Sequence, residues 1–157
     1  ARYHRIPGFS LEGVFGRSER ADDADRMTLQ VFGGYRSERA RAGAQYARQT
    51  RQAAVGSPGP DLDLDVFSGF GVFDIVEDRA SLFLRVDRYD DACADCAAIE
   101  YLPIATTAPF TMTLAGFEYA LHPSVRVSPN VEWVKYGEGG DAPGDDLAAR
   151  LTFSWAW

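Results

Sequence analysis

The sequence predicts an all-β fold, a transmembrane up-and-down antiparallel β-barrel with about eight strands visible. Three observations lead there. Apolar and polar residues alternate with period two over eight separate segments, the mark of strands with one apolar and one polar face. The links joining those segments are short and long in strict alternation, as in a meander with tight turns at one end and long loops at the other. Competing signals are weak: no run approaches the roughly 18 apolar residues of a membrane helix. The best helical candidate, Glu38–Thr50, also reads as alternating small and polar residues.

The first strand, about Phe9–Arg17, sets Phe9, Leu11 and Phe15 opposite Ser10, Glu12 and Gly16. In the second, Met27, Leu29, Val31 and Tyr35 oppose Thr28, Gln30 and Arg36. The third sets Ala40, Ala42, Ala44 and Tyr46 against Arg41, Gly43, Gln45 and Gln49. For the fourth, Leu62, Leu64, Val66, Phe70 and Val72 form the expected apolar face, with Asp63, Asp65, Gly69 and Gly71 behind them. The fifth separates Leu82, Leu84 and Val86 from Arg85, Asp87 and Tyr89. The sixth, Phe110–Leu121, slips phase at Ala115–Gly116, which reads equally as a β-bulge or as a strand apolar on both faces. In the seventh, Val125, Val127, Pro129, Val131 and Trp133 oppose Arg126, Ser128, Asn130 and Glu132. There Pro129 marks a bulge or a lost ladder bond. The last strand alternates without a break: Leu147, Ala149, Leu151, Phe153, Trp155 and Trp157 on one face, Asp146 to Ala156 on the other.

The short links are about Ser37–Arg39, Glu77–Arg79 and His122–Ser124. Ser18–Asp25, Arg51–Pro60, Asp90–Pro109 and Gly137–Asp145 are the long ones. Greek-key crossovers would not sustain that alternation. The 157 residues make one domain, 1–157. The chain opens at Ala1 with neither Met nor a signal-peptide pattern, which reads as a chain matured by processing or as the C-terminal portion of a longer barrel.

A mean hydropathy of −0.23 would ordinarily indicate a soluble protein, but barrel strands are half polar by construction. The net charge of −7, from 16 Lys+Arg against 23 Asp+Glu, excludes a nucleic-acid partner. Alternation alone also fits a soluble lipocalin-like ligand-carrying barrel, with the apolar face inward. Three details favour the membrane. Aromatic residues gather near strand ends (Tyr35, Tyr46, Tyr89, Trp133, Tyr136, Trp155, Trp157), charges of both signs occupy the polar faces, and the sequence stops on an aromatic residue.

The segment Asp146–Trp157, DLAARLTFSWAW, resembles the C-terminal β-signal of Gram-negative outer-membrane barrels, with Leu151, Phe153, Trp155 and Trp157 at the alternating positions. The stretch HPSVRVSPNVEWVKYGEG before it resembles the penultimate hairpin of porin-like barrels. Over roughly the last 50 residues the likeness rests on these motifs, and earlier in the chain on pattern alone. It implies residence in the outer membrane, contact with its lipid and lipopolysaccharide, insertion by the barrel assembly machinery, and passage of small polar solutes. With Trp157 at the periplasmic rim, every short link falls at the periplasmic end. A small closed barrel with a structural or surface-binding role is the alternative within the same resemblance.

The expected lumen charges are Arg36, Arg41, Arg85, Asp87, Arg126, Glu132 and Arg150, either paired as a structural network or setting selectivity. The small residues Gly16, Gly34, Gly43, Gly69, Gly71 and Ala148 are expected on the same face, which favours a wide pore or a chain that is part of a larger barrel. Cys93 and Cys96 are expected to form a loop disulfide in an oxidising envelope. Asp61, Asp63 and Asp65 are a solvated rim or a divalent-cation site. His4 and His122 are the two histidines and neither sits in a triad pattern, so no catalysis, metal or cofactor is expected.

Overall fold

A computed structural model describes residues 2–3, 7–19, 25–52, 61–90, 107–138 and 142–156 of the chain, and nine antiparallel strands account for the regular structure of these residues. They are β1 (Arg2–Tyr3), β2 (Phe9–Ser18), β3 (Arg26–Arg36), β4 (Ala40–Arg51), β5 (Leu62–Val76), β6 (Ala80–Tyr89), β7 (Phe110–His122), β8 (Val125–Tyr136) and β9 (Asp146–Trp155). Each pairs with its neighbours in sequence, giving one sheet in the order β1 to β9. The eight long strands β2–β9 are the eight read from the alternation. β1, whose Arg2 and Tyr3 pair with Glu12 and Leu11 of β2, is additional. Two residues carry no legible period, so only pairing reveals such a strand.

Links alternate as expected. Three short turns, 37–39, 77–79 and 123–124, join β3–β4, β5–β6 and β7–β8 at one end of the sheet; from β2 onward the longer links join strand ends at the other. In the first turn Ser37 N–H donates to the Ala40 carbonyl at 2.8 Å. Ala40 N–H in turn donates to Ser37 Oγ at 3.1 Å. The second turn holds Asp78 at a φ of 56°, a left-handed position that Asp tolerates better than most residues. Register shifts sit beside the second and third turns, between Asp74 and Val76 and between Ala120 and His122. Gly8 enters β2 at a φ of +78°, where an added Cβ would lie 2.2 Å from the Arg36 carbonyl oxygen. Gly8 O accepts a 2.7 Å bond from Arg36 N–H.

The phase slip in β7 is not a bulge. Pairing with β6 runs without a shift from Ala80↔Tyr119 to Tyr89↔Phe110, so β7 is apolar on both faces. Pro129 costs ladder bonds and leaves the register alone. Pairing with β7 is interrupted opposite it, between Gly116↔Asn130 and Tyr119↔Val127, and resumes in the same register. On the other side the register with β9 is continuous through Pro129↔Leu151. A residue without an N–H can do no more than this unless a neighbour shifts.

The sheet is open: β9 has β8 as its one neighbour, and β1 covers part of the outer edge of β2. An open up-and-down sheet of this kind is consistent with part of a barrel.

Candidate functional site

Residues paired across an antiparallel ladder point to the same side, so the register assigns each side chain to one of two faces. The first is apolar. It carries Phe9, Leu11 and Phe15 of β2, Leu29, Val31 and Tyr35 of β3, Ala42, Ala44 and Tyr46 of β4, and Phe67 and Phe73 of β5. It continues through Leu82, Leu84 and Val86 of β6, Phe117 and Tyr119 of β7, Val127, Val131 and Trp133 of β8, and Leu147, Leu151, Phe153 and Trp155 of β9.

The second face is polar. All seven charges singled out in the sequence lie on it: Arg36, Arg41, Arg85, Asp87, Arg126, Glu132 and Arg150. Three of these arginines hold carboxylates. Arg150 grips Glu132 through two bonds of 2.7 and 3.1 Å. Arg126 meets Glu118 at 2.6 Å, and Arg85 Nε donates to Asp87 Oδ2 at 2.8 Å. Among the described residues Asp87 Oδ1 is buried without a hydrogen-bond partner.

Burial is inverted with respect to a water-soluble sheet. On the polar face Ser81, Asp87 and Glu132 are only 7–8% exposed, whereas on the apolar face Phe15 and Leu147 are 69% and Trp155 73% exposed. Soluble domains bury apolar side chains and leave charges outside.

One strand departs from its expected phase. Leu62, Leu64, Val66, Phe70 and Val72 lie on the polar face, paired with Arg51, Gln49, Ala47, Gly43 and Arg41; Gly69 and Gly71 lie on the apolar face with Ala44 and Ala42. The apolar set of β5 was the natural choice for the apolar face, yet the hydrogen-bonded register with β4 leaves no freedom once β4 is placed. Leu64 is correspondingly buried, at 6% exposure. Tyr89 and Tyr136 also belong to the polar face, where they flank Phe110 with centroids 5.3 and 6.2 Å apart.

Two phenylalanines on the polar face, Phe32 and Phe83, escaped sequence reasoning, and a third, Phe70, was expected on the apolar face. Phe32 and Phe70 stack 6.5 Å apart over Gly43, where an added Cβ would meet their rings at 2.8 and 2.7 Å. Phe83 lies over Gly116, 2.3 Å from such a Cβ. Their signal was a glycine directly opposite or diagonal to an aromatic residue, legible only once the strands are paired.

Charges on the apolar face collect at the long-link end. Arg17, Arg48, Arg88 and Lys135 stand one on every second strand, with Asp63 and Asp65 between them on β5. Arg48 donates to both oxygens of Asp65, and Tyr46 Oη donates to Asp65 Oδ1 at 2.8 Å. Thr50 Oγ1 donates to Asp63 at 2.6 Å. These aspartates are therefore engaged by cross-strand donors, and Asp61 precedes the strand. Within the described residues no cluster of ligating side chains has the arrangement of a metal centre.

Of the assembly-signal positions, Leu151, Phe153 and Trp155 share the apolar face of β9. Trp157, Cys93, Cys96 and His4 lie outside the described residues. His122 closes β7 at the short-turn end, its Nδ1 accepting from Ser124 N–H at 3.2 Å. No family model, curated protein or solved structure matches this chain, so what the structure itself establishes is an all-antiparallel, up-and-down sheet compatible with a β-barrel wall.

Proposed function

We propose that this chain is wall material of an outer-membrane β-barrel of the porin-like kind, through which small polar solutes diffuse passively. The carrying observation is the inverted burial: a continuous, exposed apolar face across eight strands, backed by a polar face on which the carboxylates of Asp87 and Glu132 are buried and ion-paired. A lipid solvent reverses the usual preference and makes the apolar face the outside.

Dimensions agree with that reading. From Leu147 to Trp155 the apolar positions of β9 span eight residue steps, ~27 Å at ~3.4 Å per residue. At the ~35–45° tilt of such strands that length projects to roughly 19–22 Å, most of a lipid-facing band of about 25 Å. Charges on that face appear only at the long-link end, with Tyr46 and Phe67 one row inside Arg48 and Asp65, and Trp133 one row inside Lys135. In this orientation the long links are extracellular, and Arg17, Arg48, Arg88 and Lys135 face lipopolysaccharide headgroups. The β9 residues Leu151, Phe153 and Trp155 are read by the assembly machinery. The soluble-carrier alternative needs the apolar face to be the sheltered one.

Planar-bilayer recording with the refolded chain tests the reading, and stepwise ion conductance is expected. Protein that is folded by circular dichroism yet passes no current would remove the channel function. Protein that stays monodisperse without detergent would remove the membrane as well.

A further inference from the structure

Positive charge on the polar face is concentrated rather than spread. β3 and β4, 11 and 12 residues long, contain five arginines and no Asp or Glu, in a chain where acids outnumber bases by 23 to 16. Arg48 turns to the apolar face and pairs with Asp65. The other four, Arg26, Arg36, Arg41 and Arg51, lie on the polar face, as two cross-strand pairs at its two ends: Arg26↔Arg51 and Arg36↔Arg41.

Like charges directly opposite one another destabilise a sheet. Arg36 and Arg41 keep that arrangement, and among the described residues neither has a carboxylate within ion-pair distance. They line a polar cavity of about 620 Å³ at the short-turn end. Arg79 and Arg126 also line it, as do Glu38, Asp74, Asp78 and Glu118; Glu118 is taken by Arg126. Glu38 and Asp78 belong to the turns beyond the strands, and Asp74, at the end of β5, is the one strand acid of this lining that Arg126 does not hold.

Between the two arginine pairs the polar face of β3 and β4 offers Thr28, Gln30, Gln45 and Gln49, which supply neutral N–H and O–H donors. Along the row of Gln45, the nearest carboxylates are Glu12 and Asp87, each two strands away. Arg85, Arg126 and Arg150 on the polar face of β6–β9 are each matched by an acid, which sets Arg36 and Arg41 apart from them.

We infer that the polar face of β3 and β4 is an anion track, and that the solutes this wall favours carry carboxylate or phosphate groups. This rests on the channel reading above. Guanidinium groups in pairs bind such oxyanions in planar, bidentate fashion. A wall strip of two strands without acids, with the Arg36–Arg41 pair at its short-turn mouth, sets the sign of the permeant ion, as charged pore linings do.

The test is the zero-current potential of the reconstituted full chain across a KCl gradient, repeated with potassium phosphate. A potential of anion-selective sign is expected. The double variant Arg36→Gln/Arg41→Gln and the single variant Gln45→Glu should each move it towards cations. Ser128→Glu makes the same charge change on the polar face of β8 and should move it less. If the double variant does not fold, Gln45→Glu against Ser128→Glu decides alone. A cation-selective wild type, or equal shifts from Gln45→Glu and Ser128→Glu, overturns the track while leaving the channel standing. Absence of any current overturns the channel, and the track with it.

Discussion

At the scale of single residues, glycines on the polar face make room for rings. A methyl group on Gly116 would lie 2.3 Å from Phe83 Cζ and 2.8 Å from Asn130 Cβ. The ring can swing but the paired strand cannot, so Gly116→Ala should cost about 1–3 kcal/mol, the usual range for overpacking. Gly71 faces open space on the apolar side, and Gly71→Ala should be close to neutral. Urea midpoints of the two variants, measured in the same detergent, check the contrast. Equal midpoints would mean that Phe83 does not rest on Gly116. Pairing also explains why these positions were illegible beforehand: Gly69, Gly71 and Gly116 look alike in the chain. Only the register shows that Gly116 opposes an aromatic residue on the polar face while Gly71 stands among alanines on the other.

At the scale of the strand, alternate positions should respond oppositely to the same substitution. Leu84 sits in the middle of β6 on the apolar face and is half-exposed. If lipid covers that face, Leu84→Arg should destabilise the chain refolded into phospholipid vesicles by about 2–4 kcal/mol, the cost of arginine near the bilayer midplane. A soluble sheet would tolerate the same change at a solvent-exposed position. Equilibrium unfolding from vesicles measures it, and an unchanged midpoint would count against the membrane reading. On β9 the expectation concerns assembly. Phe153→Asn should slow insertion by the assembly machinery, while Thr152→Asn, one residue away on the polar face, should not. Comparing folded fractions over time in vesicles carrying that machinery reads the difference, and equal rates would remove β9 from the signal.

For the whole molecule, openness of the sheet has a measurable consequence. Hydrogen exchange follows the stability of the bonds that protect each amide. Strands β4–β8 have neighbours on both sides, whereas β9 has β8 alone and β2 is covered by β1 at Leu11 and Glu12. Outward-pointing amides of β9 should therefore exchange fastest among the strands, with β5 and β7 slowest. Uniform protection of β9 in the folded chain would show that another strand pairs with its edge. In a bilayer such pairing is demanded, since each unpaired backbone group in hydrocarbon costs several kcal/mol.

Periodicity by itself determined the eight long strands, the alternation of short and long links, and the common face of the seven charges from Arg36 to Arg150. All of these are local or nearly local: side-chain period and link composition act within a strand and its turn. Alternation, however, defines two sets of residues without saying which set faces which side. In β5 composition pointed to the wrong face, because Leu62, Leu64, Val66, Phe70 and Val72 outnumbered Phe67 and Phe73; in β7, where both sets contain large apolar residues, it offered no arbiter. The tertiary structure decided those phases, placing Leu62, Leu64 and Val66 on the polar face and carrying β7 through Ala115–Gly116 without a register shift. It also decided the short strand β1, the open edge of β9 and the meeting of Arg36 with Arg41. The reason is common to all of them: cross-strand hydrogen bonds couple the phase of one strand to the next, and that coupling appears only when the strands are side by side.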